Sequence, residues 1–214
     1  TGDIGKPYAA YRGTPMGPDQ TTLEDARRVI RDYDLADRLP RSVVEYLTHA
    51  GPEAETPKSF PQNTYFLLNS LPDACRYAKE AAESLGHRAL VLSSFLEGEA
   101  ADAGTVLASV AREIQQYGQP VPAPCVLVAA GEVTTQIPDS AAITGHGGPG
   151  QELTASFALS AAHTPGCALL SIDSEGTDGT TPAAGGLTDS KTLSAAEERQ
   201  VDLHAALRGH ACYE

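Results

Sequence analysis

Short apolar runs alternate with amphipathic segments along the chain, and this alternation predicts its secondary structure. Continuous apolar runs, which are typical of buried strands, occupy residues 63–69, 88–93, 124–130 and 167–172. Apolar residues at helical spacing predict helices over residues 21–34, 41–49, 72–85, 100–117, 151–162 and 194–207. We expect residues 133–137 to form an antiparallel partner of the strand at 124–130.

Two helix ends carry recognisable signals. Thr21-Thr-Leu-Glu24 has the spacing of a capping box, in which a threonine and an acid three residues later bond each other's backbone N–H groups. Gly86 follows the helix at 72–85 and is a natural C-terminal cap. These signals support the boundaries predicted from the apolar pattern.

The order of the elements predicts an α/β fold. Strands and helices that alternate with short junctions are typical of βαβ units and of a mainly parallel sheet. Proline and glycine concentrate at residues 118–123, which marks a candidate boundary between residues 1–123 and 124–214. The chain begins at Thr1 and its last five residues read as the interior of a helix, so we expect a partial chain lacking both ends.

Composition narrows the function classes. The 214 residues carry a formal net charge of -13, which repels phosphate backbones and argues against nucleic-acid partners. No apolar run approaches the roughly 18 residues that cross a bilayer, and no signal segment opens the sequence. We therefore expect a soluble cytoplasmic protein without a membrane partner.

Cysteine and histidine spacing favours neither disulfides nor a zinc site. The four cysteines form no CxxC pair, and the six histidines show no HxH or HExxH spacing. Reduced core cysteines are the expectation.

Two glycine-rich loops stand next to predicted elements. Gly145-His-Gly-Gly-Pro-Gly150 precedes the helix at 151–162, and Ser171–Gly186 follows the strand at 167–172. Ligands of open α/β sheets bind beyond the C-terminal ends of strands, and glycine lets backbone N–H groups approach a phosphate. The candidate phosphate or substrate contacts are Gly145, Gly147, Gly148, Gln151, Gly176 and Gly179. The alternative for these glycines is a purely structural turn.

Acidic residues accompany the glycines, namely Glu97, Glu99, Glu132, Asp173, Glu175 and Asp178. Carboxylates beside a phosphate site commonly hold Mg²⁺ or accept a proton from an attacking hydroxyl. The alternative is that they cap helices or face solvent. Asp173 and Asp178 are the preferred metal ligands because they lie close to a strand end, and Glu132 is a candidate substrate contact.

Six short motifs occur in one order along the chain: NTYFLLNS, ALVLSSFLEGEA, PCVLVAAGEVTT, GHGGPGQEL, SIDSEGTDGTTPAAGG and ALRGHACYE. Together they resemble the type 2 glycerate kinases, also labelled the hydroxypyruvate reductase family, which carry a C-terminal MOFRL domain. Asp19-Gln-Thr-Thr22 and Glu55-Thr-Pro-Lys58 are similar to further motifs of that family. The resemblance covers nearly the whole chain.

This resemblance implies a specific architecture and reaction. Residues 1–123 would be the latter part of a Rossmann-like domain with a mainly parallel sheet, and residues 124–214 a smaller, truncated MOFRL-type domain. The implied activity is ATP- and Mg²⁺-dependent transfer of a phosphoryl group to the 2-hydroxyl of D-glycerate. Asp178 and Glu175 would be catalytic, with Asp178 and Asp173 on the metal. Whether the chain forms a homo-oligomer is left open.

Departures from the family motifs keep two alternatives open. Pro149 stands where many members have an arginine, and Pro182 stands where an acid is expected. A degenerate or truncated ligand-binding module of the same fold is therefore the alternative function. A hydroxypyruvate reductase ranks below both, because no GxGxxG fingerprint for a nicotinamide cofactor is visible.

Overall fold

The computed structural model describes residues 18–62, 69–137 and 143–213, and it confirms the α/β class with a parallel strand pair. The chain divides into two compact units, Thr1–Ser70 and Leu71–Glu214. The predicted strand at 63–69 lies outside the described residues except for Asn69. None of the described helices is both long enough and apolar enough to span a bilayer.

The first unit contains two helices, α1 (Leu23–Asp32) and α2 (Arg41–His49). The predicted capping box exists but lies one residue further along the chain. Thr22, rather than Thr21, is the N-cap, and its reciprocal partner is Asp25 rather than Glu24. Both threonines have an acid three residues later, Glu24 for Thr21 and Asp25 for Thr22, so the spacing alone does not show which threonine is the N-cap.

A polar cluster in the first unit joins the two motifs DQTT and ETPK. Asp19 accepts hydrogen bonds from the side chains of Thr21 and Thr56, at 2.7 and 2.8 Å. Glu55 accepts from the backbone N–H of Leu23 at 2.9 Å and from the ammonium of Lys58 at 2.9 Å. Lys58 also donates to the carbonyl of Thr21 and the hydroxyl of Thr56. The ammonium thus finds three acceptors within the unit, and the motifs fasten the 55–58 segment to the start of α1.

The second unit begins with α3 (Leu71–Ser84), β1 (Arg88–Glu99), α4 (Ala100–Tyr117) and β2 (Cys125–Thr134). Helix α3 packs against both strands, which pair in parallel from Arg88 with Cys125 to Glu99 with Thr134. Two sequence predictions were wrong here. Strand β1 extends to Glu99 instead of ending at residue 93, and Val133 and Thr134 continue β2 instead of starting an antiparallel strand. Pairing with the neighbouring strand extends both elements beyond their apolar runs.

The rest of the unit consists of α5 (Pro149–Ser160), β3 (Leu169–Ile172), β4 (Gly185–Thr188), α6 (Thr192–Glu198) and α7 (Leu203–Arg208). Strand β4 pairs antiparallel with β3 and was not predicted. The helix predicted over 194–207 is two helices, which a turn at Gln200 with φ of 59° separates. Residues 211–213 are irregular rather than helical.

The domain boundary at 123/124 stays a prediction. Strands β1 and β2, which lie on either side of it, belong to one sheet.

The core of the second unit lies between α4 and α5. Ala100, Ala103 and Ala108 of α4 are buried together with Leu153 and Phe157 of α5. Small residues on α4 let the two helices approach closely, and a Cβ atom on Gly104 would collide with the carbonyl oxygen of Leu153. This contact fixes the position of α5, whose N-terminus carries the candidate site.

Substitution of Gly104 by alanine tests this packing. Because the new methyl group meets backbone rather than a movable side chain, we expect a loss of about 1–3 kcal/mol in the free energy of unfolding. Urea denaturation measures it. Val106→Ala on the exposed side of the same helix is the matched control and should change stability by less than about 0.5 kcal/mol. Equal stability of the two variants would contradict the close helix contact.

The polar cluster of the first unit predicts a response to acid. Hydrogen bonds, first from the Thr21 side chain, lower the pKa of Asp19 from 3.8 to about 2. Hydrogen bonds, first from the Leu23 N–H, lower the pKa of Glu55 from 4.5 to about 2. Since both folded-state pKa values lie below the unfolded values of 3.8 and 4.5, the stabilisation is fully present above about pH 5 and is lost as the pH falls toward 2.

Carboxyl ¹³C NMR titration measures both pKa values directly. Thr21→Val removes the hydroxyl that contributes most to the shift of Asp19, so the pKa of Asp19 should rise toward its ordinary value. Glu55 serves as the internal reference, because Thr21 is not among the causes of its shift. An unchanged Asp19 titration in this variant would contradict the arrangement.

Candidate functional site

Three segments meet at the N-terminus of α5. They are the glycine-rich turn at 144–148, the acidic loop at 173–181 and the segment 209–213 that follows α7. The Thr144 N–H donates to the Gly209 carbonyl at 2.8 Å, and the Tyr213 N–H donates to the His146 carbonyl at 3.0 Å. The Thr180 N–H donates to the Gly147 carbonyl at 3.4 Å. The two loops predicted from the sequence are therefore neighbours.

Asp178 joins the acidic loop to α5. Its side chain is buried, and its carboxylate oxygens accept the backbone N–H groups of Gly150 at 3.1 Å and Gln151 at 2.7 Å. These amides are among the unpaired donors at the start of every α-helix, where the helix dipole also favours negative charge. Asp178 is thus an internal anion that caps α5, a role that the sequence had left open as the alternative.

Glycines make this close approach feasible. A Cβ atom on Gly148 would collide with the carboxylate of Asp178, and one on Gly179 would collide with the Gly147 carbonyl. Gly179 also has a φ of 59°, in the left-handed region that favours glycine. At these two positions the glycines predicted as phosphate contacts already serve the packing of loop against turn.

The glycine-rich turn also contains backbone N–H groups that Asp178 does not accept. No acceptor among the described residues pairs with the backbone N–H groups of Gly145, Gly147 or Gly148. Gly145 and Gly147 are partly exposed. The turn therefore offers donors that an anionic group could take up.

Gln151 lies beneath the cap. Its side-chain amide donates to the Thr181 hydroxyl at 2.9 Å, and that hydroxyl donates to the Asp178 carbonyl at 2.9 Å. The other side-chain atom, Oε1, is buried without a partner in the part of the chain that the structure describes. Gln151 thus supports the loop from inside, and the residue is only 5% exposed.

The outer part of the loop carries the other two predicted acids. Asp173 is partly buried, and its carboxylate accepts the Glu175 N–H at 2.8 Å, while its carbonyl accepts the Gly176 N–H at 3.0 Å. Glu175 and Gly176 are exposed. The structure therefore brings Asp173, Glu175 and Gly176 into one tight turn at the surface.

Glu132 lies on β2. It is exposed and pairs in register with the exposed Glu97 of β1. The third acid of this region, Glu99, accepts the backbone N–H of Gln136 at 2.9 Å.

Sequence reasoning missed the Glu152–His210 pair. Glu152, on the first turn of α5, is 3% exposed, and its Oε1 lies 3.0 Å from Nδ1 of His210. The partners are 58 residues apart in sequence, so no local spacing connects them. The one available signal was the acid in GQEL, which stands next to Leu153 on a helix that also carries Phe157 and Ala158.

The thiol of Cys212 has a raised pKa. Burial, then the negative charges of Glu152 and Asp178, raise the pKa of its thiol to about 12. The thiol therefore remains protonated at neutral pH, and a nucleophilic role for it is not supported.

Metal binding by protein groups alone has limited support. Within the described ranges no three His, Cys, Asp or Glu side chains gather in a way that could hold a metal ion. Mg²⁺ in phosphate-transfer sites usually needs only one or two carboxylates, with substrate phosphates and water completing its shell. Asp173 fits that smaller requirement, whereas both oxygens of Asp178 are engaged by amides. The predicted catalytic and metal roles remain predictions.

Comparison with known proteins identifies relatives along the whole chain. Residues 125–214 match the profile of the MOFRL family. The chain is 35% identical to the glycerate 2-kinase of Pyrococcus horikoshii over 99% of this chain and 48% of that relative. It is 29% identical to the D-glycerate 2-kinase of Thermotoga maritima, over 93% of this chain and 45% of the relative. A putative hydroxypyruvate reductase of Agrobacterium vitis is 33% identical over 93% of this chain and 44% of its own length.

Solved structures agree with these matches. A crystal structure of glycerate kinase from Thermotoga maritima superposes with a TM-score of 0.74 at 29% identity and covers 100% of this chain and 49% of its own. A Pyrococcus horikoshii protein superposes with a TM-score of 0.67 at 35% identity, with the same coverage. The chain thus spans about half the length of the curated relatives it matches, and the resemblance read from its motifs is confirmed.

Removal of the Asp178 carboxylate tests the cap. Asp178→Ala leaves two helix amides without their acceptor, so we expect a loss of about 1–3 kcal/mol in the free energy of unfolding. Asp178→Asn keeps one carbonyl oxygen and should lose less. Urea denaturation compares both with Thr177→Ala, an exposed change in the same loop. If Asp178→Ala were as stable as Thr177→Ala, the cap would have no energetic role.

Proposed function

From the membership of residues 125–214 in the MOFRL family, we propose that this chain is part of a glycerate 2-kinase, which transfers a phosphoryl group from ATP to the 2-hydroxyl of D-glycerate. The observation that carries the proposal is the similarity to glycerate 2-kinases along 93–99% of the chain, in both of its units. Such similarity extends beyond the MOFRL segment alone.

The geometry at α5 supports phosphate recognition. Enzymes that transfer phosphoryl groups work mainly by positioning the reactants and by stabilising negative charge. The N–H groups of Gly145, Gly147 and Gly148, which have no acceptor among the described residues, are donors of the kind that surround phosphate oxygens. Gln151, Gly176 and Gly179 shape this region by bracing and turning the loop, and Asp178 holds it against α5.

We assign the direct contacts to the acids at the surface of the loop. Asp173 and Glu175 are the acids of the loop that water reaches, and on this proposal their carboxylates would face a bound nucleotide and its Mg²⁺ ion. A bound Mg²⁺ would neutralise the charge that develops on the phosphates. On this proposal Asp178 acts chiefly through the loop that it holds, and Glu132 contributes to the charge of the sheet edge on β2.

A non-catalytic module that only binds ligand is the second candidate. Pro149 and Pro182 favour it, because proline supplies neither the charge nor the donor that the family motifs have at these positions. A reductase is the third, since relatives carry that name.

Calorimetry followed by a turnover assay separates these functions. The chain is titrated with ATP in the presence of Mg²⁺, then with D-glycerate, and ADP and 2-phosphoglycerate are measured by ³¹P NMR. The proposal predicts binding of ATP and formation of both products. The Thermotoga maritima D-glycerate 2-kinase is assayed alongside as the positive control.

Each other outcome has a distinct meaning. Binding without product would favour the ligand-binding module. Oxidation of NADH with hydroxypyruvate would favour the reductase. Neither heat nor product, with the control active, would overturn the proposed function for this chain.

A further inference from the structure

Glu152 is an acidic residue buried away from water, where a charge is unfavourable without a partner. It is only 3% exposed, on a helix whose neighbouring positions Leu153 and Phe157 belong to the core. A buried carboxylate is tolerated when a hydrogen-bonding or charged partner compensates for the lost water. In the described residues that partner is His210, whose Nδ1 lies 3.0 Å from Oε1.

His210 adopts an unusual backbone conformation. Its φ of 53° lies in the left-handed region, which non-glycine residues seldom occupy. The segment around it is fixed on both sides, since Thr144 donates to the Gly209 carbonyl and Tyr213 donates to the His146 carbonyl. Such conformations persist where the surroundings over-determine them, and they cluster at functional sites.

The pairing determines which ring nitrogen is available. An ionised carboxylate only accepts hydrogen bonds, so a neutral imidazole paired with it through Nδ1 must carry its hydrogen on that nitrogen. The lone pair is then on Nε2. No described residue bonds Nε2, and the side chain is 15% exposed.

The backbone of His210 lies next to the glycine-rich turn. A Cβ atom on Gly147 would lie 3.1 Å from the His210 carbonyl oxygen and 3.2 Å from the Cys212 N–H nitrogen. The backbone of His210 therefore packs directly against the turn that we propose for phosphate binding. On the proposed function, an acceptor hydroxyl would have to be bound on this side of the turn.

We propose that His210, oriented by the buried Glu152, is the general base of the reaction; this inference rests on the proposed function. As the 2-hydroxyl oxygen of glycerate forms a bond to the γ-phosphorus, the bond from that phosphorus to the β–γ bridging oxygen breaks. ADP departs with the electron pair of that bond. The hydroxyl proton passes to Nε2, and the imidazolium is stabilised by Glu152 until it releases the proton to water.

Other titratable groups near the pair do not compete for this role. Cys212, on the same segment, has a thiol whose pKa is raised to about 12 by burial and by Glu152 and Asp178. Asp178, from the acidic loop, has both carboxylate oxygens engaged by helix amides. Of these three groups, His210 is therefore the one that combines an Nε2 without a described partner with partial exposure.

Substitution of His210 by glutamine tests the chemistry. Glutamine can still donate to Glu152 but accepts no proton, so kcat should fall by roughly 10²–10⁴-fold with little change in KM for ATP. The matched control is His204→Gln on the exposed surface of α7, which should retain wild-type kcat. A wild-type rate in a folded His210→Gln variant would overturn the inference and leave the proposed function intact.

A second measurement does not depend on turnover. Long-range ¹H–¹⁵N NMR of the uniformly labelled chain reports which nitrogen of each imidazole carries the hydrogen. We expect His210 as the Nδ1–H tautomer at pH 8, and a shift of its Nδ1 signal in Glu152→Gln. An Nε2–H tautomer would overturn the base role of His210. This readout does not need turnover, so it tests the base role even if the chain is inactive; absence of turnover would count separately, against the proposed function.

Discussion

The contact between the Asp178 carboxylate and the first amides of α5 organises the second unit. Helix α5 packs against α4, β3 and β4, so its N-terminus is the point that the glycine-rich turn and the acidic loop share. Helix amides without a partner need an acceptor, and this chain supplies one from a loop 27 residues further along. With that bond in place, the backbone at Gly147, Gly148 and Gly179 packs so closely against its neighbours that side chains there would collide with or crowd them.

An internal carboxylate at a helix N-terminus resembles a bound anion in its chemistry. The same amides, without Asp178, would attract phosphate, which explains why glycines and acids beside a predicted helix suggested a phosphate site. The structure divides that pattern into two parts. Gly150 and Gln151 are satisfied within the chain, whereas the N–H groups of Gly145, Gly147 and Gly148 have no acceptor among the described residues.

Elements with a strong local signal could be predicted from the sequence, and elements made by pairing could not. The helix at 100–117 matches α4, because its periodicity is local and a glycine ends it. Strand β4, Gly185–Thr188, has too few apolar residues to be recognised and exists because it pairs with β3. For the same reason the apolar pattern predicted β1 only as far as residue 93, although pairing with β2 extends it to Glu99. The site was predicted at the level of its loops, while the capping of α5 and the Glu152–His210 pair depend on long-range contacts that no spacing reveals.

The acids of this region fall into two groups, buried and accessible, and the two groups can play different roles. A carboxylate such as Glu152 or Asp178, nearly inaccessible to water, can stabilise a neighbouring donor but cannot easily meet a substrate. Asp173 and Glu175, at the surface of the loop, can meet a substrate and share one tight turn. The buried acids give geometric precision to groups that move protons or donate hydrogen bonds, and the surface acids provide charge where a ligand arrives. A site built from both kinds needs the fold to be complete before its chemistry is defined, which is why residue types in a motif indicate a family more readily than they assign roles.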